Sequence, residues 1–420
     1  MNISAKLLEV KNGFQPSFWV ANVMELFERI AYYGQATILS IFLRNHLKFD
    51  AIETGQLSSI FGGLIYFLPI FAGALADKFG FKKAFSFAFF VLAVGYFLIG
   101  ATGMETFSGI FSELDLYWVL VPILIFTAIG GSFIKPSVLG TVALTSTKES
   151  KSFGYAIYYW LVNIGAGIGP VIAFFVRDSI GIEWVYLVSA VSCALMFFST
   201  LIFYKEPTSE ATRKSTKIST VIKNLLTVVK NFKFMLFLLI FGFYWVIFWQ
   251  IYIIVPFYIT DYISPNAPFE IIQSVGAWGI ILLQLFLNRL TKNMAPITAM
   301  ITGFSISSLC WGIILFNPTI PFIIAGIVVL SIGEQIQAPR FYEYIADLAP
   351  EGQAALFQGY AFLPVAIGWI FGGTFGGWLY NTFATVANSP YVIFIILWLI
   401  GILTAALMAI YNFVIKRSSQ

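Results

Sequence analysis

The sequence predicts an all-α membrane protein of twelve transmembrane helices in two six-helix, pseudo-symmetric halves. Three observations carry this: the 420 residues are 59% hydrophobic and only 10% charged, the apolar runs recur at membrane-spanning length, and one long polar stretch divides them evenly. Soluble domains carry about 25% charged residues, so a chain this poor in charge belongs in a bilayer. Barrel strands would read as runs of about ten residues alternating in polarity, and none of the apolar runs alternates.

The apolar segments fall at 16–45, 53–77, 82–103, 115–144, 152–177 and 181–204, then at 233–262, 268–291, 295–316, 319–349, 353–382 and 389–415. Each reaches the roughly 20 residues that a helix needs to cross the hydrocarbon core. Cys193 and Cys310 both lie in these runs and read as packing residues, not as a disulfide framework. Residues 1–12 are polar, and the first apolar run is too long and too charged for a cleaved signal peptide, so the N-terminus is expected to be retained.

Positive charge sets the expected topology. Of the 24 Lys and Arg, Arg29, Lys135 and Arg340 lie within helices, and Arg44, Lys48 and Arg177 fall on one side; the remaining eighteen fall on the other. The positive-inside rule then puts both termini in the cytoplasm, and the inner membrane of a bacterium is the expected location. The polar stretch 205–232 is the expected cytoplasmic linker between an N-terminal bundle, 1–204, and a C-terminal bundle, 233–420. Within it Val221, Leu225, Leu226 and Val229 recur at helical spacing beside Lys223 and Lys230, a pattern of either an amphipathic surface helix or a charged linker. Helix five carries Gly165, Gly167, Gly169 and Pro170, and helix eleven carries Pro364, Gly368, Gly372, Gly373, Gly376 and Gly377. Small residues four apart permit close helix approach, and matching positions in two halves suit a transporter built from repeats.

The charges inside the spans carry the chemistry. Glu25, Glu28, Arg29 and Tyr32 follow i, i+3, i+4 and i+7 spacing and share one helix face, with Arg29 about 16 Å into the bilayer. Charges at that depth cost about 2.5–3.5 kcal/mol each, so they face a partner or a polar cavity. Across all spans, four carboxylates (Glu25, Glu28, Glu334, Glu343) meet three cations (Arg29, Lys135, Arg340), leaving one surplus acid. A carboxylate in a low-dielectric cavity without its own cation tends to bind a proton, which is what proton coupling requires. Static salt bridges between helices are the alternative use of such charges.

Two motifs name a family. Gly73-Ala-Leu-Ala-Asp77-Lys-Phe-Gly80-Phe-Lys82-Lys83, between helices two and three, resembles the loop signature G-x-L-A-D-R-x-G-R-K of the major facilitator superfamily, with Phe81 at a usually basic position. Glu25-x-x-Glu28-Arg29-Ile30-x-Tyr32-Tyr33-Gly34 resembles the E-x-x-E-R-F-x-Y-Y-G signature of the proton-dependent oligopeptide transporters. Gly130-Gly131-Ser-Phe-Ile-Lys135-Pro136, Tyr158-Tyr159-x-x-x-Asn163-x-Gly165 and Gly333-Glu334 resemble that family's lysine-bearing helix four, its F-Y-x-x-I-N-x-G segment and the G-E of helix ten. The resemblance implies a major facilitator fold, with Gly73, Asp77 and Gly80 as a conformational loop.

The departures are specific. Ala36 stands where the family has an arginine, and Trp249 where helix seven of the family has a glutamate that, by the resemblance, pairs with it. Losing both is consistent, because removing one alone would strand a buried charge. Helix eight reads Gln273-Ser274-x-Gly276-Ala277 where Q-S-x-N-P is usual.

These readings converge on a proton-coupled symporter of a small peptide-like or zwitterionic solute, working by alternating access. Glu25, Glu28, Arg29 and Lys135 are the expected coupling residues. Tyr32, Tyr33, Lys135, Tyr159, Asn163, Trp249, Glu334 and Arg340 are the expected substrate contacts, with Arg340 taking a carboxylate and Glu334 an amine. A proton-coupled exporter of drugs or metabolites and a non-transporting receptor are the alternatives. An enzyme is excluded by chemistry, since one histidine and two scattered cysteines supply no nucleophile or metal constellation. The expected partners are the small solute and the bilayer, with no nucleic acid and no cofactor beyond protons, and the chain is expected to be monomeric. With cysteines introduced singly at positions 47 and 215, an impermeant thiol reagent applied from outside should label 47 and spare 215; the reverse pattern would invert the topology.

Overall fold

A computed structural model describes residues 13–147, 149–207, 218–349, 357 and 359–418. Among them there is no strand, only an isolated bridge between Phe14 and Ser146. The helices that matter below are α1 (Pro16–Ile41), α2 (Ala51–Phe67), α3 (Pro69–Phe79), α4 (Phe81–Ala101), α5 (Leu116–Ser132), α6 (Ile134–Thr145), α7 (Lys151–Ile180) and α8 (Glu183–Phe203). After them come α9 (Ile218–Val229), α10 (Phe232–Phe248), α11 (Gln250–Tyr258), α12 (Phe269–Thr291), α13 (Pro296–Phe316), α14 (Ile320–Leu348), α15 (Leu363–Leu379) and α16 (Tyr391–Ser418).

The described parts of the expected spans are largely helical, and residues 353–356 and 358 of the span expected at 353–382 lie outside the described residues. Among the described residues nine runs are long and apolar enough to cross a membrane, and a tenth is reached when α2 and α3 count as one bent span. The first run falls outside that set because every 18-residue stretch of α1 contains Glu25, Glu28 and Arg29. Three spans are broken. Pro69 opens α3 and Pro136 lies in the first turn of α6, where a missing N–H costs nothing, and α10 gives way to α11 at Trp249.

The contacts divide the chain into two compact units: Met1–Gln35 with Leu68–Ile222, and Ala36–Phe67 with Lys223–Gln420. This differs from a boundary in the 205–232 linker, since residues 36–67 group with the second unit. Glycine contact explains why. On α2, Gly55 lies against the Gly373 carbonyl and Gly62 against the Trp369 ring of α15, while Gly377 lies against the Ala51 carbonyl. Ser59 Oγ accepts from the Thr374 backbone N–H at 2.9 Å, and Ser40 Oγ donates to the Tyr252 carbonyl at 2.7 Å.

In the first unit, the start of α4 is fixed by a carboxylate from beyond α8. Gly80 turns the chain with a φ of 95°, and the Glu206 side chain accepts from the N–H groups of Phe81 and Lys82 at 2.9 and 2.7 Å. An acid at a helix N-terminus satisfies two orphan donors and complements the helix dipole. Lys82 Nζ returns a bond to the Leu201 carbonyl, and Ser17 Oγ donates to that of Lys205. The polar stretch holds α9, on which Ile222, Leu226 and Val229 are exposed beside Lys223 and Lys230. Residues 208–217 and the Val221 and Leu225 side chains lie outside the described residues.

Gly377→Leu should lower stability by about 1–3 kcal/mol, because the added side chain meets backbone that cannot yield. Gly109→Ala, with nothing within 4 Å of the new methyl, should leave it unchanged. Thermal unfolding of both variants in detergent checks the contrast.

Candidate functional site

α1 presents its charges on one face. Glu25 and Glu28 are fully buried and Arg29 is 3% exposed. The Arg29 guanidinium pairs with both, lying 3.4 Å from Glu25 and in a short hydrogen bond with Glu28, and it sits 4.9 Å over the Tyr32 ring. Tyr32 in turn meets Tyr33 edge to face at 5.2 Å. One cation held by two carboxylates and a ring face is well determined geometrically, yet three carboxylate oxygens, both of Glu25 and Oε1 of Glu28, accept no hydrogen bond.

α7 makes this burial possible. A Cβ on Gly165 would lie 2.5 Å from Arg29 Cβ, and one on Gly169 would lie 2.5 Å from the Ile30 carbonyl oxygen. The two helices therefore meet backbone to backbone, the use of small residues that membrane helices make in place of apolar burial. Asn163, 7% exposed, donates to the Tyr159 carbonyl one turn back at 2.8 Å.

Lys135 enters from α6, just past the break at Phe133 and next to Pro136. Glu25, Glu28 and Arg29 all act on it electrostatically. The first unit thus assembles two acids and two cations. Tyr159, expected as a contact, is 41% exposed; Tyr158 is the tyrosine within electrostatic reach of Glu25, Glu28 and Arg29. Gly80 holds its positive φ at the α3–α4 junction, Gly73 faces Pro136 at 3.5 Å, and Asp77 is exposed.

The second unit holds the other candidates. Trp249 is 5% exposed in an aromatic stack, 4.4 Å from Trp369 and 5.5 Å from Trp245, with Tyr66 at 5.9 Å. The indole N–H groups of Trp245, Trp249 and Trp369 have no acceptor. Glu334 is half-buried on α14, and Tyr244 lies within its electrostatic reach. Arg340, expected as a substrate's cation, lies further along the same helix. Its guanidinium donates to Glu343 at 2.6 Å and to the Thr291 carbonyl at the end of α12 at 2.9 Å, so its fork is already engaged.

Two features escaped sequence reasoning. Glu270, within the expected span 268–291 but not among the four carboxylates counted there, is fully buried in the first turn of α12. Arg44 forms a bidentate pair with Asp261 at 2.9 and 2.7 Å, and Tyr380 donates to the same carboxylate at 2.7 Å. Each of the three residues lies on a π turn that ends a helical run: Phe42–His46, Ile259–Ile263 and Tyr380–Val386. Pairing across 217 residues leaves no local signal to read.

Helical runs of membrane-spanning length, the first carrying a buried ion cluster, define a polytopic membrane protein. The chain belongs to the Major Facilitator Superfamily, whose model matches residues 23–271 and 263–419. It is similar to the dipeptide and tripeptide permease B of Aliivibrio fischeri (strain MJ11), 27% identical over 202 residues that cover 47% of this chain and 38% of the relative. It is similar also to the dipeptide and tripeptide permease A of Escherichia coli (strain K12), 31% identical over 160 residues, 37% of this chain and 30% of that one. These matches span less than half the length of either relative. Among solved structures, a POT family transporter in complex with 5-aminolevulinic acid shares the fold with a TM-score of 0.74, at 17% identity over 94% of this chain and 95% of that one. A nucleoside transporter does so with a TM-score of 0.76, at 14% identity over 94% and 99%.

Arg29→Ala should cost about 3–5 kcal/mol, because two buried carboxylates are left facing each other without their shared cation. Arg29→Lys keeps the charge but loses the planar fork and should cost less. Equal destabilisation of the two variants by denaturant titration would show that packing, not charge, sets the effect.

Proposed function

We propose that this chain is a proton-coupled symporter of a small peptide-like or zwitterionic solute, working by alternating access in a bacterial inner membrane with both termini cytoplasmic. The observation that carries this reading is the Glu25–Glu28–Arg29 cluster, buried at mid-helix with Lys135 beside it. A purely structural helix gains nothing from ions at that depth, which cost more to insert than apolar residues of the same volume.

The residues divide by chemistry. Lys135, within electrostatic reach of Glu25 and Glu28, is the cation that links a solute carboxylate to the acids of α1. Glu334 offers a carboxylate to a solute amine, while Tyr32, Tyr33 and Asn163 supply ring faces and polar tips. In the second unit, Trp249 and its neighbours replace polar contacts with ring surface, which favours a compact or partly apolar solute over an extended peptide. The names of the permeases and of the POT family structures support a peptide-like solute class.

Lys135→Ala should abolish uptake driven by a pH gradient while solute exchange without a gradient persists, since the variant loses the cation that balances Glu25 and Glu28. Proteoliposomes loaded with and without a pH difference, and offered dialanine and trialanine with N- and C-blocked analogues, separate the two activities. Undiminished accumulation by the variant would remove Lys135 from the coupling machinery.

A further inference from the structure

Charge accounting in the folded chain isolates one acid. Arg29 pairs with Glu25 and Glu28, and both also act on Lys135, so two acids and two cations balance in the first unit. In the second unit Arg340 pairs with Glu343, and Asp261 with Arg44. Two further acids of that unit are Glu270 in the first turn of α12 and Glu334 in the middle of α14. Of the two, Glu334 is the one with no hydrogen bond or ion pair to any described residue of its unit.

The described helices of its own unit that pack on α14 bring Glu334 no compensating charge. α14 packs against α10, α12 and α13. α10 brings Tyr244, whose ring is fully buried and whose hydroxyl lies near the Ser307 and Gln337 side chains, and Lys233 at its first turn. Lys233 is 11 residues before Tyr244, about 16 Å along the helix. α12 carries Glu270 in its first turn and Arg289 in its last, and α13 carries only Cys310. On α14 itself Arg340 is six residues on, about 9 Å, and engaged. Among the described residues of this unit, neutral dipoles are what stand near the carboxylate.

We propose that Glu334 is the group that binds the coupling proton in the solute-free transporter, while the charges on α1 and α6 stay paired and ionised. The carboxylate takes a proton from water and becomes a neutral acid, and the proton returns to water when the carboxylate is ionised again. A neutral Glu334 lets the empty second unit move without an isolated charge in a low-dielectric surrounding. This assignment rests on the transport reading for its consequence, but the geometry that supports it does not.

Difference infrared spectroscopy of the purified protein in liposomes, with no solute and with the pH stepped between about 5 and 9, tests the proton directly. A protonated-carboxyl C=O band should titrate in the wild type and in Glu28→Gln, and should vanish in Glu334→Gln. If Glu334→Gln does not fold, Glu334→Asp serves instead and should shift the position and midpoint of the band. A band unchanged by either substitution, or the absence of any titrating carboxyl in the wild type, overturns the assignment. Holding a solute amine would alter KM and leave no such band. In the same liposomes, accumulation of dialanine driven by a pH gradient should fall at least tenfold in Glu334→Gln. If the wild type accumulates no solute yet the band tracks Glu334, the transport reading fails and the proton assignment stands.

Discussion

The protein is organised around a constraint on α1: an arginine and two glutamates must be buried at mid-bilayer without water. Each ion alone would cost several kcal/mol, so the three have to be held within contact of one another. That demand reaches outward. It requires α7 to come close enough to seal the face, which Gly165 and Gly169 permit, and it requires a second cation, which the break before α6 delivers as Lys135. Replacing either glycine by a larger residue would part the helices and admit water to the cluster.

The second unit solves the opposite problem. Where the resemblance implies an ion pair, Ala36 and Trp249 leave none, and ring stacking takes over: Trp245, Trp249 and Trp369 fill the region with surface that needs no counter-charge. Aromatic pairs of this kind contribute about 0.5–1.5 kcal/mol beyond their burial, without the desolvation penalty of ions. Charge is kept at the ends of the helices, where Arg44, Asp261 and Tyr380 close on one another from three π turns. Such turns recur at functional sites because a widened turn re-aims the side chains that follow. Here they aim three residues from distant parts of the sequence at a single point.

The two units therefore differ in how they carry charge. The first gathers its ions into one buried cluster; the second spreads them over separate pairs, with Glu334 outside any ion pair among its described residues. The likeness to solved transporters at 14–17% identity extends to the fold, so the chemistry has to be argued from these residues.

Composition and run length alone determined the membrane class, the helical architecture and the positions of the spans, because a bilayer leaves few ways to satisfy a backbone. The spacing of Glu25, Glu28, Arg29 and Tyr32 was enough to place them on one face, since a helix turns by a known angle per residue. Partnership was beyond it. That Arg29 serves both glutamates, that Arg340 is taken by Glu343 and Thr291, and that Tyr158 and not Tyr159 meets the cluster depend on side-chain directions that spacing does not encode. The grouping of α2 with α15 and the Arg44–Asp261–Tyr380 clamp join residues more than a hundred positions apart. Only tertiary packing brings such groups together, because their separation along the chain leaves no local pattern to read.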